Sequence, residues 1–321
     1  MSGKVLILGN GFDLDLGMNT RYSDFANSDI WEQSFQDDIQ LYRPDTLIGY
    51  LNKEKEKNAW FDIEQSMLNY VTNKKNEYGI PDNDINDDKK SFCKLCHALS
   101  MYLKHEQKYY KQRKNNFAVE VLKAIAANGY FRSIYTFNYT SLRQIASDNG
   151  MTLGETNVMH VHGSLADDDI ILGVMADNAS VVPEEYSFLY KDNSRYYRSN
   201  NMATDLDEAN ELVIFGHSVN GMDFDYFRDF FLKQAGEKGD FKKKRITIFT
   251  YDENSDSQIR NSIRKIGINP RQLFNRNELC FIHTKLLSDG DSLEQNRYDE
   301  FIKHLYEHSE EAHLRTLNSF L

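Results

Sequence analysis

The stretch LILGNGFD, residues 6–13, joins a short apolar run to two glycines separated by one residue, with an acid close behind. Such a turn has two readings. Glycine-rich turns at the start of a helix bind phosphate through backbone N–H groups, but many strand-to-helix turns use glycine only for its backbone freedom. The third glycine of the dinucleotide fingerprint is missing here. The turn alone leaves both readings open, and the segments that follow have to decide between them.

The run before the turn, residues 4–8, lacks polar alternation, as expected of a strand buried on both faces of a parallel sheet. Similar short apolar runs return later: RSIYTFN (132–138), NVMHVHG (157–163), DIILG (169–173), ELVIFG (211–216), RITIFTYD (245–252) and ELCFIHT (278–284). Helical patterns at 141–148, 223–235 and 256–266 separate several of them. This alternation predicts an α/β fold with a mainly parallel sheet and helices on both faces. Between the first and second strands the character changes. WEQSFQDDIQLYR, AWFDIEQSMLNYVTNKKNEYG and residues 88–127 show apolar residues at three-and-four spacing, which predicts amphipathic helices. The acidic segment 79–90 reads as a loop, residues 184–210 have no clear period, and 293–321 reads as a final helix or pair. The predicted organisation is a discontinuous core (1–29 and 130–290), a helical insertion or lid (30–129) near the carboxyl ends of the strands, and a C-terminal helical segment (291–321).

Composition narrows the function classes. The 321 residues carry 49 acids against 38 Lys and Arg, a formal charge of -11. A general nucleic-acid binder relies on basic residues that neutralise phosphates, so that class is disfavoured. The best candidate for a local basic surface, FKKKR at 241–245, reads rather as a solvated turn before a strand. No apolar run approaches the roughly 18–20 residues that span a bilayer, and the start shows no secretory pattern. A cytoplasmic protein with reduced thiols is expected. Cys93-x-x-Cys96-His97 matches a haem attachment motif and half a zinc site. Haem attachment needs export, zinc needs further ligands, and Phe92, Leu95, Cys96, Leu99 and Leu103 fall at helical spacing. Cys96 is therefore read as a helix core residue, and no metal site is expected.

Chemistry-bearing residues collect at the strand ends: Gly9-Asn10-Gly11 after the first, Asn138-Tyr139-Thr140 after YTF, His160, His162, Gly163 and Ser164 around HVHGS, and Gly216-His217-Ser218 after LVIF. Ligands bind at the carboxyl ends of strands in open α/β sheets. Each member also has a structural reading: Asn138 as a helix cap, the histidines as strand residues with both side chains on one face, and Asp13 as a helix-start acid. Trp60 reads as a packing anchor, while Asp62 or Glu64 is a candidate to reach the cleft. The cluster as a whole favours a site.

The segments LILGNGFDLDLGMNTRYSDF, AWFDIE, YTFNYT, HVHGS and IFGHSVNGMDFDYF resemble the bacterial abortive-infection AbiH proteins over nearly the whole chain. In that family a Gly-Asn-Gly-Phe-Asp run, a Trp-x-Asp-hydrophobic-Glu element and a His-x-His-Gly element recur in this order. The resemblance implies phage defence, in which the infected cell stops growing or dies before phage are released. The order Gly-x-Gly, Thr-x-Asn-Tyr, His-Gly, Gly-x-Ser is also similar to the sirtuin-like, Rossmann-type fold, which carries NAD across its strand ends. That comparison implies cleavage of the nicotinamide–ribose bond of NAD or a related nucleotide, as substrate rather than resident cofactor. Asn138 and His162 match its catalytic positions. Gly9 and Gly11 match its phosphate turn, Gly216 and Ser218 a later cofactor turn, and Asp24-Phe25 weakly match a flexible-loop pair. The residues assigned to the nucleotide are Gly9, Asn10, Gly11, Phe12, Asp13, Thr136, His160, Gly216, His217 and Ser218.

The chain departs from sirtuins in having Thr140 where many relatives have Asp, Gly-Asn-Gly for Gly-Ala-Gly, and no pair of Cys-x-x-Cys motifs. The last difference argues against deacylation. In the implied reaction backbone amides bind pyrophosphate, Asn138 holds a ribose hydroxyl or water, and His162 accepts a proton. The expected partners are a nucleotide and a phage-derived trigger, with homo-oligomerisation open. A nucleotide-binding sensor without catalysis, or a metal-dependent nuclease toxin, are the alternatives.

Overall fold

A computed structural model describes residues 3–40, 45–58, 61–75, 82–113, 116–175, 182–219 and 221–318. Six strands form one sheet: β1 (Gly3–Leu8), β2 (Ser133–Thr136), β3 (Asn157–His160), β4 (Ala209–Phe215), β5 (Arg245–Thr250) and β6 (Glu278–His283). All neighbours pair in parallel, in the order β3-β2-β1-β4-β5-β6. This is the strand order of a doubly wound Rossmann-like sheet, and its direction of growth reverses between β1 and β4.

The helices are α1 (Asn10–Leu16), α2 (Tyr22–Ala26), α3 (Asp29–Gln40), α4 (Leu47–Lys57), α5 (Ile63–Lys75), α6 (Asp82–Tyr109), α7 (Phe117–Asn128), α8 (Leu142–Asp148), α9 (Met202–Glu208), α10 (Asp225–Ala235), α11 (Glu253–Lys265), α12 (Pro270–Arg276), α13 (Thr284–Ser288) and α14 (Ser292–Asn318). The chain divides into two compact units. One, Met1–Met18, Lys111–Val161 and Asn200–Leu321, holds the sheet. The other, Asn19–Tyr110 and His162–Ser199, holds α2–α6 and the 3-10 turns Glu184–Leu189 and Lys191–Asn193. Thus α7 groups with the sheet and residues 162–199 with the helices, a division that is not visible in the sequence.

In the sheet unit both faces are covered, which is why its central strands are continuously apolar. On one face Val5, Ile7, Leu212, Ile214, Ile246 and Ile248 pack with Leu206 of α9, Phe227 and Phe231 of α10, and Ile259 and Ile263 of α11. On the other, the stacked rings of Phe215 and Phe249 (4.7 Å) meet Phe12 of α1 at 5.5 Å and Phe301 of α14 at 5.0 Å.

Three sequence expectations change. Residues 169–173 form no strand: the segment is irregular, bounded by Asp168 and Gly173 at positive φ, with a bridge only from Val174 to Tyr190. Residues 82–90 are helical rather than a loop, because Asp88 is buried and holds the segment. It accepts hydrogen bonds from Tyr70 (2.6 Å), Tyr186 (2.7 Å) and the Leu47 N–H (2.8 Å). β3 ends at His160, so His160 and His162 are not a strand pair with side chains on one face. Cys96 does sit within α6, and burial pushes its thiol up to about 12.

Candidate functional site

The carboxyl ends of β1, β2 and β4 lie side by side at the point where the strand order reverses, the position at which open α/β sheets bind ligands. The β1 and β4 turns are locked against each other. A Cβ on Gly11 would lie 2.6 Å from Gly216 Cα, and one on Gly9 would lie 2.5 Å from His217 Cα. Gly216 also has φ +67. The Gly9 N–H donates to Phe215 O (3.0 Å), Gly11 N–H to Gly216 O (2.8 Å), and Phe12 N–H to Gly9 O (2.9 Å). The close approach these glycines permit is that of the neighbouring turn, and their amides already have protein acceptors. Phe12 is a core side chain, whereas Asn10 and Ser218 are exposed beside the locked turns.

Behind the turn lies a buried polar knot. Asn138 Nδ2 donates to Gly9 O (3.0 Å) and Asp13 Oδ1 (2.8 Å), and Thr140 Oγ1 donates to Asp13 Oδ2 (2.7 Å). The Asn138 N–H donates to Thr136 Oγ1 (3.1 Å), and Asn138 O lies 3.1 Å from His160 Nδ1. Burial raises Asp13 to about 7, against the opposing pull of the Thr140 and Asn138 hydrogen bonds. Asp13, Thr136, Asn138, Thr140 and His160 thus form one connected set. His217 adjoins it through Phe137, whose ring centroid is 4.3 Å from the imidazole. The Val219 N–H donates to His217 Nδ1 (3.0 Å), and Nε2 lies 3.9 Å from Asp223.

In the helical unit His162 belongs to a second buried cluster. Lys191 Nζ is 3.0 Å from Glu64 Oε2 and 3.4 Å from His162 Nε2. Lys191, His162 and Glu64 are 1%, 4% and 7% exposed. Gly163 adopts φ +76, and a Cβ there would meet Asp169 O at 2.0 Å, so the His-Gly-Ser segment folds tightly onto Asp169. Asp169 Oδ1 accepts the Ser164 N–H (2.7 Å), and Oδ2 pairs with Arg198 (3.2 Å). Of the two acids in AWFDIE, Glu64 reaches Lys191, the lysine beside His162, whereas exposed Asp62 accepts the Gln65 N–H (3.1 Å) at the start of α5. Trp60 lies outside the described residues. Lys191 was missed in the sequence, because it sits in the stretch without a period and no neighbouring motif marks it.

Among the described residues no group of three or more His, Cys, Asp or Glu could hold a metal, and no helix is long and apolar enough to cross a membrane. Sheet order and strand-end cluster together define a Rossmann-like α/β protein with its candidate site at the switch point. A sequence model of the family described as bacteriophage abortive infection AbiH matches residues 5–248. The chain belongs to that family. No curated protein matches it.

Proposed function

We propose that the protein is an antiphage abortive-infection effector that hydrolyses the nicotinamide–ribose bond of NAD or a related nucleotide in the cytoplasm. Family membership supports the defence role. The observation that carries the nucleotide reading is a buried acid at the switch point: Asp13 is bonded by Asn138 and Thr140 beyond β2, lies behind the locked β1 and β4 turns, and is raised by burial to about 7. The resemblance of the same motifs to sirtuin-like domains supports the bond that is cut.

In this reaction water adds to the ribose carbon as the N-glycosidic bond breaks. The bonding pair stays on the ring nitrogen, so a cationic pyridinium leaves as neutral nicotinamide. The proton lost by the water goes to a base, the role the sirtuin-like resemblance gives to His162, and the ribose product keeps the oxygen. Polar contacts to the nucleotide are assigned to exposed Asn10 and Ser218 and to His160 and His217. The Gly9 and Gly11 amides play no direct part while they donate within the protein. Asn138 and Asp13 hold the floor of the site. Asp13 serves as a proton-sharing group rather than a pyrophosphate contact, where its charge would repel.

One observation favours a second reading, a nucleotide sensor without catalysis: the Asn138 amide donates to Gly9 O and Asp13 instead of standing ready for a water. Nucleotide profiles of cells before and after induction separate the two. The hydrolase reading expects NAD to fall with the wild type and to hold with a folded His162→Ala variant. Defence with intact NAD would overturn it, and binding without product, unchanged in His162→Ala, would favour the sensor.

A further inference from the structure

We propose that Lys191, anchored by Glu64, is the positioning residue of His162: its ammonium occupies Nε2 and fixes the imidazole as the Nδ1–H tautomer. An ammonium has only hydrogens to offer, so the Nε2 atom 3.4 Å away has to be the acceptor, and a neutral ring then carries its proton on Nδ1. Glu64, 3.0 Å from Nζ, keeps the charged donor in place. Backbone hydrogen bonds hold the segments that carry His162 and Lys191 and reach the Glu64 carboxylate itself. The Ile171 N–H donates to His162 O (2.8 Å), the Gly173 N–H to Glu64 Oε1 (3.4 Å), and the Lys191 N–H to Val174 O (2.9 Å).

The inference rests on reading His162 as the proton acceptor, and it says how that acceptor is held. With Lys191 in place His162 has no lone pair to offer at Nε2, and accepting a proton there requires the ammonium to withdraw. Two motifs far apart in sequence, AWFDIE and HVHGS, thereby act on one imidazole through a lysine that neither contains.

Long-range proton–nitrogen spectra of histidine-labelled protein, assigned with His162→Gln, report the tautomer directly. The wild type is expected to show a protonated Nδ1 and an unprotonated Nε2. The Glu64→Gln/Lys191→Met double variant removes both charges together, so no unpaired charge is left buried. It is expected to move most of the population to the Nε2–H form, while Lys191→Arg keeps Nδ1–H. A wild-type ring protonated at Nε2 overturns the proposal, as does a double variant that keeps the wild-type tautomer. If the double variant fails to fold, the wild-type spectrum still decides. The hydrolase reading fails separately: the expected tautomer with intact cellular NAD leaves the positioning role standing and removes the reaction.

Discussion

At Asp13 two effects oppose each other, and burial wins. Two hydrogen-bond donors favour the carboxylate, yet desolvation raises the group from 3.8 to about 7. Thr140 makes either state tolerable, because a hydroxyl can donate to a carboxylate or accept from the protonated acid, whereas Asn138 Nδ2 only donates. The proton therefore belongs on Oδ2. The folded state holds this proton more tightly than the unfolded chain, so the contribution to stability is complete below about pH 4. It is lost as pH rises through about 7, by about 4 kcal/mol at most. Asp13→Asn reproduces the protonated form, its carbonyl accepting from Asn138 and its NH2 donating to Thr140. In urea denaturation from pH 4 to 8 the wild type is expected to lose stability relative to Asp13→Asn. A difference that stays constant with pH would refute the shift. The sequence singled out Asp13, Asn138 and Thr140 one by one, but only the fold shows that Asn138 bonds to the acid itself. Lys191 had no local signature at all, since its partners lie 127 and 29 residues away along the chain.

The β1–α1 and β4 turns behave as one element because their backbones touch. Gly11→Ala places a methyl 2.6 Å from Gly216 Cα, a backbone atom that cannot swing aside. Overpacking of this kind costs about 3 kcal/mol or more. Gly3→Ala, at the start of β1, meets nothing closer than 3.9 Å and is expected to change stability by less than about 1 kcal/mol. Equal costs in thermal or denaturant melts would refute the locked-turn reading. The first strand was legible because a run buried on both faces has no polar alternation to mislead. The same logic misread 169–173, since a buried apolar run looks alike whether its backbone pairs in a sheet or bends at positive φ. Polarity misled at 82–90 for the opposite reason: the partners that bury Asp88, Tyr70 and Tyr186, are supplied by other segments.

At the scale of the whole molecule, charge separates a nucleotide ligand from a nucleic-acid one. The formal charge is -11, and three of the four cations of FKKKR, the best candidate for a basic surface, are engaged within the protein. Lys244 is buried, donating to Asp207 O (2.8 Å) and Ala209 O, and burial lowers it to about 8. Lys243 and Arg245 share Glu278 at 2.8 and 3.2 Å. Such a surface has few counterions to release from a phosphate backbone, so duplex binding in the micromolar range with a steep salt slope is not expected. A dinucleotide is different, because its affinity comes from a small set of local contacts while the distant acids repel it. Added salt screens that repulsion over about 10 Å at 0.1 M. NAD titrated by calorimetry into His162→Ala, the variant in which the proposed hydrolysis is expected to be lost, is expected to bind with an affinity that is flat or rising between 50 and 200 mM salt. Nucleic acid in the same range is expected to show no binding. Affinity for NAD falling about tenfold across that range would point to a basic phosphate seat that these residues do not supply.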